Sequence, residues 1–232
     1  LACLVPRNPA ASAWVSPSRS RVNTRPLAID MHRIYNAINV LYIIVPTYAP
    51  GMSPARARHA LIVVDVQQGF DDPVWGSRNN PLAEQNIRAL LTAWRAVDQP
   101  VVLVRHDSVT PASPLRPGQP GNALLPGIDG AHDLFVTKTV NSAFYGTPGL
   151  DGWLRAEGIK EIPICGITTN HCCETTARMA GNLDYEVAFA IDATFTFDRL
   201  GPDGLVVSAE DLSRTTATNL HGEFATVVTA AE

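Results

Sequence analysis

From residue 60 onward the chain alternates short β-branched apolar runs with segments of helical spacing, and that alternation limits the fold more than any other feature of the sequence. Residues 60–66 (ALIVVDV) make one strand-length run and residues 100–105 (PVVLVR) a second. Residues 134–137, 161–166 (EIPICG), 187–191 and 225–228 supply four more. Between them Ile87, Leu90, Leu91 and Trp94 recur at helical spacing within residues 82–97. Leu150, Trp153 and Leu154 mark a helix that ends near Gly158, and residues 172–180 and 209–220 read as two further helices. Strands apolar on both faces, separated by helices, predict a mostly parallel sheet covered on both sides. With right-handed crossovers this is a doubly wound α/β domain: six strands, helices on both faces, Rossmann-like. Ligands of such sheets sit beyond the carboxyl ends of the strands. The segments to inspect are therefore residues 65–70, 106–108, 138–145, 166–173 and 192–197.

The remainder of the chain differs in composition. Residues 1–58 carry seven arginines, no lysine and one acid (Asp30), with seven of the eighteen prolines. The whole chain has a formal net charge of -4, so residues 59–232 carry -10 against +6 before them. Two parts are expected: a leader, 1–58, and an α/β domain, 59–232. An Arg- and Ser-rich, acid-poor leader suits a transit peptide. The apolar run at residues 34–45 is too short to span a bilayer. Another reading makes residues 1–51 an over-extended frame, with translation starting at Met52. A hydrophobic fraction of 46% excludes wholesale disorder, and four cysteines are too few for a disulfide scaffold. The acidic balance gives no nucleic-acid footprint, and no apolar run is long enough for a membrane span.

Three strand ends carry reactive groups. Asp65 closes the first strand, where a carboxylate is placed to act as a base; a loop-stabilising aspartate is the plainer reading. Lys138 follows the third strand. It is one of two lysines against sixteen arginines, which suggests a position needing a compact ammonium, although a surface lysine would also fit. The fourth strand leads into 166–178, GITTNHCCETTAR. Cys172 is expected in the first helical turn, where the helix dipole favours thiolate and backbone N–H groups can hold an oxyanion. A buried structural cysteine or a Cys172–Cys173 pair are the alternatives. A base, a cation and a nucleophile at the ends of three strands of one sheet form a more specific constellation than any one of them.

These residues resemble the isochorismatase-like cysteine hydrolase superfamily, which includes nicotinamidases and N-carbamoylsarcosine amidases. The carriers are LIVVDVQQGF (61–70), VRHDS (104–108), KTVNSAFYGT (138–147), CGITTNHCCETTAR (165–178) and IDAT (191–194). The resemblance implies catalytic Asp65, Lys138 and Cys172, with Cys173 as a packing residue. It implies a cis peptide at Ile167–Thr168 that turns the Thr168 N–H toward the Cys172 N–H to form an oxyanion hole. The expected activity is cleavage of a small-molecule amide or carbamoyl C–N bond through a thioester on Cys172. The alternative is a vinyl-ether hydrolase or a non-catalytic binding or scaffold protein of the same fold. Isochorismatases proper lack the nucleophilic cysteine, and metal-dependent nicotinamidases carry an Asp with two nearby His that this chain does not reproduce. No metal or other cofactor is therefore expected. The pocket is expected from Gln67, Phe70, Trp75, His106, Asn141, Phe144, Tyr145 and His171, with Ser142 beside them. The Pro- and Gly-rich stretch 107–133 reads as an ordered lid or subunit contact. A dinucleotide oxidoreductase is disfavoured because DVQQGF lacks G-x-G-x-x-G. A cytoplasmic homo-oligomer, dimer or tetramer, acting on a small molecule completes the expectation.

Overall fold

The computed structural model describes residues 58–230. The expected leader lies almost wholly outside the described residues. The first strand, β1 (Leu61–Val64), has all four side chains buried, as a strand flanked on both edges and covered on both faces must. β2 (Val101–His106) and β3 (Leu134–Lys138) extend the sheet on one side of it. β4 (Glu161–Ile167), β5 (Glu186–Phe195) and a short edge strand, Thr226–Val228, extend it on the other. Every pairing in this six-stranded sheet is parallel. Arg199–Leu200 and Val206–Val207, here β6 and β7, form a separate antiparallel hairpin, so the edge strand is β8. The sequence pattern did not indicate this hairpin.

The period of two along β1 and β2 sorts the core into two layers. Leu61, Val63, Val101 and Leu103 face α1 (Ala83–Ala96), which buries Ala83, Ile87, Leu90, Leu91 and Trp94 against them. The apolar spacing of that helix accounts for its docking. Asp98, at φ 54°, and Pro100 then prevent its continuation. Ile62, Val64, Val102 and Val104 face the opposite layer. That layer holds α2 (Leu150–Ala156), α3 (Glu174–Asn182) and α4 (Ala209–Leu220). The chain winds outward from β1 through β2 to β3, then returns to place β4 on the other side of β1. The winding reverses between β1 and β4, where such folds open a crevice at the strand carboxyl ends.

Gly166 makes that junction possible. Its φ is +134°, and a Cβ built there would lie 2.0 Å from the Val64 carbonyl oxygen. Only glycine lets β4 pass so near β1.

The stretch 107–133 is an ordered cover on the α1 side. Leu115 and Ile128 are buried in that layer, and Asn122 is buried beneath it. Its Asn122 Nδ2 donates to the Leu115 carbonyl and to Asp107 Oδ1. Among the described residues no helix is long and apolar enough to cross a membrane.

Candidate active site

Asp65 follows directly on β1, with its amide donating to the Val104 carbonyl at 2.9 Å. Its φ is 53°, a left-handed conformation that Asp tolerates better than most residues. The side chain is fully buried at the β1–β4 crevice. Lys138 ends β3 two strands away, and its side chain is also fully buried. Its Nζ donates to Asp65 Oδ2 at 2.6 Å and to Cys172 Sγ at 3.3 Å. The three strand-end groups singled out in the sequence therefore meet in one cluster. Asp65 Oδ1 is buried and has no hydrogen-bond partner among the described residues, so one carboxylate oxygen is placed to accept a proton.

The turn carrying Cys172 departs from expectation. α3 begins at Glu174 rather than at residue 172, and a single π-helical turn, Thr169–Cys173, precedes it. The Thr168 carbonyl accepts from both the His171 and Cys173 amides at 3.3 Å, which widens the turn. The Ile167–Thr168 peptide is cis. Cys172 and Cys173 are free thiols, and Cys173 packs in the core beneath α3.

The electrostatics also differ from the dipole argument. Burial, then the neighbouring Asp65 charge, pushes the Cys172 thiol well above its ordinary range, with Lys138 opposing. The resting cluster therefore holds a thiol. Burial alone would lower the Lys138 pKa, but the Asp65 carboxylate and the Cys172 sulfur outweigh it, so the ammonium stays charged. His106 is driven toward its neutral form by burial and by the Lys138 charge.

The cluster opens into a cavity of about 420 Å3. Phe70, Trp75, His106, Asn141 and His171, five of the positions the sequence offered for a pocket, line it together with Thr168. Asn141 Oδ1 lies 3.7 Å from Cys172 Sγ. Phe197, Arg199 and Leu200, from the end of β5 and the hairpin, line it as well, with Val74 and Leu115. Phe70, Trp75 and Phe197 make a continuous aromatic wall, with centroid separations of 5.3, 5.7 and 6.3 Å. Phe197 lay within a strand-end segment marked for inspection, but nothing in its local sequence distinguished it from a core phenylalanine.

Four expected pocket residues lie outside the cavity lining. Gln67 is buried and does not line the cavity; its side chain clamps the His106 backbone and the Asn122 carbonyl. Phe144 sits in a 3-10 turn that directs its ring toward Tyr185, 5.7 Å away, on the helical side of the core. Tyr145, in the same turn, is 70% exposed. The neighbouring Ser142 accepts from the Phe144 amide and caps that turn instead of facing the cavity.

Asp65, His106 and Cys172 each offer an atom that could ligate a metal, all within 4.8 Å of one another. The Lys138 ammonium lies within 3.3 Å of an atom of each, so a protein cation already occupies the position a metal would take.

A family model for the isochorismatase domain matches residues 59–232. The chain belongs to the isochorismatase family. It is 39% identical to the isochorismatase family protein YrdC of Bacillus subtilis over 173 residues, covering 74% of this chain and 92% of that protein. Nicotinamidase 3 of Arabidopsis thaliana is 32% identical over 183 residues, 73% of this chain and 83% of that protein. Among solved structures, an isochorismatase-family protein from Chromobacterium violaceum superposes with a TM-score of 0.72 at 42% identity. That superposition covers 80% of this chain and 95% of the other.

Proposed function

We propose that residues 59–232 form one hydrolase domain that cleaves the amide or carbamoyl C–N bond of a small molecule through a thioester on Cys172. The observation that carries this reading is the Lys138 ammonium bridging Asp65 and Cys172 at the floor of the cavity. Similarity to a relative named as a nicotinamidase supports the bond class. Asp65 takes the Sγ–H proton as sulfur bonds to the substrate carbonyl carbon. The carbonyl oxygen takes the electron pair and is held by the backbone N–H groups of Thr168 and Cys172, where one lost donor typically costs about 100–1000-fold in rate. The C–N bond then breaks, and the nitrogen leaves with the proton from Asp65. Water gives a proton to Asp65 and its oxygen to the thioester carbon. Collapse releases the acid and returns the proton to sulfur. No step uses a cofactor.

The aromatic wall of Phe70, Trp75 and Phe197 suits a flat or apolar acyl group. Exposed apolar side chains at the cavity mouth, Val74 and Leu200, are consistent with a homo-oligomer, checked by analytical ultracentrifugation. The three free cysteines among the described residues suit a reducing cytoplasm.

The test is an ammonia-release screen over nicotinamide, N-carbamoyl compounds, ureides and simple amides, with wild type beside Cys172→Ala. Activity abolished in the variant, with a substrate-derived acyl mass on Cys172 in quenched wild type, is the expected result. Full hydrolysis by Cys172→Ala rejects the thioester route and favours direct attack of water on the amide, whereas no ammonia from any compound favours the vinyl-ether or non-catalytic alternative.

A further inference from the structure

We infer that His106 is a positioning residue that fixes the Lys138 ammonium by serving as its third hydrogen-bond acceptor. The inference deepens the proposed function and uses its assignment of Cys172 as nucleophile. An ammonium has three N–H donors and no acceptor. Nζ of Lys138 has three acceptors in reach: Asp65 Oδ2 at 2.6 Å, His106 Nδ1 at 3.2 Å and Cys172 Sγ at 3.3 Å. The donors and acceptors match in number, so the ammonium has one fully satisfied orientation. In that orientation one N–H is aimed at sulfur. With the imidazole removed, one donor lacks a partner in a buried site, and the ammonium gains by rotating away from Sγ.

The imidazole suits this role in two ways. It is held neutral, so it adds an acceptor without a second negative charge to compete with the sulfur for Lys138. Facing an ammonium that can only donate, Nδ1 is placed to accept, with the proton of the neutral ring on the other nitrogen. The charged and titratable groups that face it are Asp65 just after β1, Lys138 on β3, Cys172 on the turn after β4 and Asp107 beside it on the chain. Asp107 is itself committed to Arg105, at 2.8 and 3.0 Å.

The backbone of His106 is held with equal care. Its amide donates to Gln67 Oε1 at 2.9 Å. Its carbonyl accepts from Gln67 Nε2 at 3.0 Å and Asn122 Nδ2 at 3.3 Å. In the β2–β3 register His106 is the direct partner of Lys138. The buried Gln67 carboxamide therefore locks the strand end that carries the imidazole at the same level as the lysine.

The experiment measures Cys172 alone and needs no substrate. Iodoacetamide alkylation of Cys172 at pH 8 is followed by peptide mass spectrometry in wild type, His106→Leu and His106→Asn, with melting temperatures in parallel. Asn places its Oδ1 near the position of Nδ1. The expected result is alkylation about tenfold slower in the Leu variant, and a return to within about threefold of wild type in the Asn variant. Equal rates in all three proteins overturn the inference. Equal slowing in both variants without rescue overturns it also, because the effect then does not follow acceptance of a hydrogen bond. If the Leu variant fails to fold, the comparison of wild type with His106→Asn still decides, since alkylation about tenfold or more slower in Asn contradicts the role. If instead Cys172 is not the nucleophile, Cys172→Ala keeps its hydrolysis while these alkylation profiles are unaffected, so the two failures are distinguishable.

Discussion

Lys138→Met tests the electrostatic premise of the site directly. Nζ and Asp65 Oδ2 lie 2.6 Å apart with both side chains at 0% exposure. At an effective dielectric constant of about 20 their attraction is about 6 kcal/mol, which offsets a desolvation penalty of several kcal/mol for each ion. Methionine nearly preserves the volume but leaves the carboxylate buried and uncompensated, a change that destabilises by about 3–5 kcal/mol. For a domain of this size that is a fall in Tm of roughly 6–20 °C. Urea unfolding followed by far-UV circular dichroism measures it, with Asp65→Asn and the double variant completing the cycle. The double variant is expected to lose at least about 2 kcal/mol less than the sum of the single losses, because it removes both ions together. The coupling should persist at about 1 M salt, since neither group meets solvent. Additive losses, or a single loss below about 1 kcal/mol, would refute the claim that these charges form one desolvated pair.

Stability should decline as pH falls below about 6.5, the ordinary histidine value. Burial holds both His106 and His171 neutral in the fold, with Lys138 and Arg199 adding to the effect, so below that pH the unfolded chain binds protons that the folded chain does not. Against burial, Arg78 holds the Glu84 carboxyl low and Arg105 holds that of Asp107 low, so a further decline sets in below about pH 4.5 as the unfolded carboxylates protonate. Urea midpoints between pH 4 and 8 check both declines, and a flat profile contradicts them. Gly166→Ala is expected to lose more than about 3 kcal/mol or to be recovered only as aggregate, because the added Cβ meets the Val64 backbone and alanine disfavours the φ there. Expression with soluble-fraction assay and thermal melting reports it; a soluble variant melting within about 2 °C of wild type contradicts the close β1–β4 approach.

The sheet was legible because each strand is a continuous apolar run bounded by a helical pattern, and burial on both faces requires such runs. Asp65, Lys138 and Cys172 were legible because polar, reactive groups close apolar strands where the fold gathers them. The contact between His106 and Lys138 depends on inter-strand register, which is set by packing across the sheet and leaves no local trace. The same limit hid Gln67, whose partners lie 39 and 55 residues away. Phe144 and Tyr145 were misjudged because one 3-10 turn sends adjacent aromatics to opposite environments, core and solvent. The hairpin at Arg199 and Val206 was missed because Leu200, Leu205 and Val206 are apolar yet exposed, which breaks the link between hydrophobicity and burial that any periodicity reading assumes.

The use of lysine in a chain so rich in arginine has a physical reason in this geometry. In the proposed mechanism the negative charge of the cluster lies on Asp65 before attack and on sulfur after proton transfer. No net charge is created in a buried site, but the charge moves, and the countercharge must serve both positions. At 2.6 and 3.3 Å from the two atoms, and at an effective dielectric constant of about 20, the ammonium's attraction changes by only roughly 1–2 kcal/mol as the charge moves. A single tetrahedral nitrogen can touch both atoms and a third acceptor at once. A planar guanidinium directs its donors into one fork and is better matched to a single carboxylate. Because burial keeps the Cys172 thiol protonated at rest, thiolate is formed as the carbonyl arrives and is not held in advance. On that reasoning Lys138→Arg, although it conserves charge, is as damaging to the proton transfer as Lys138→Met while restoring part of its stability.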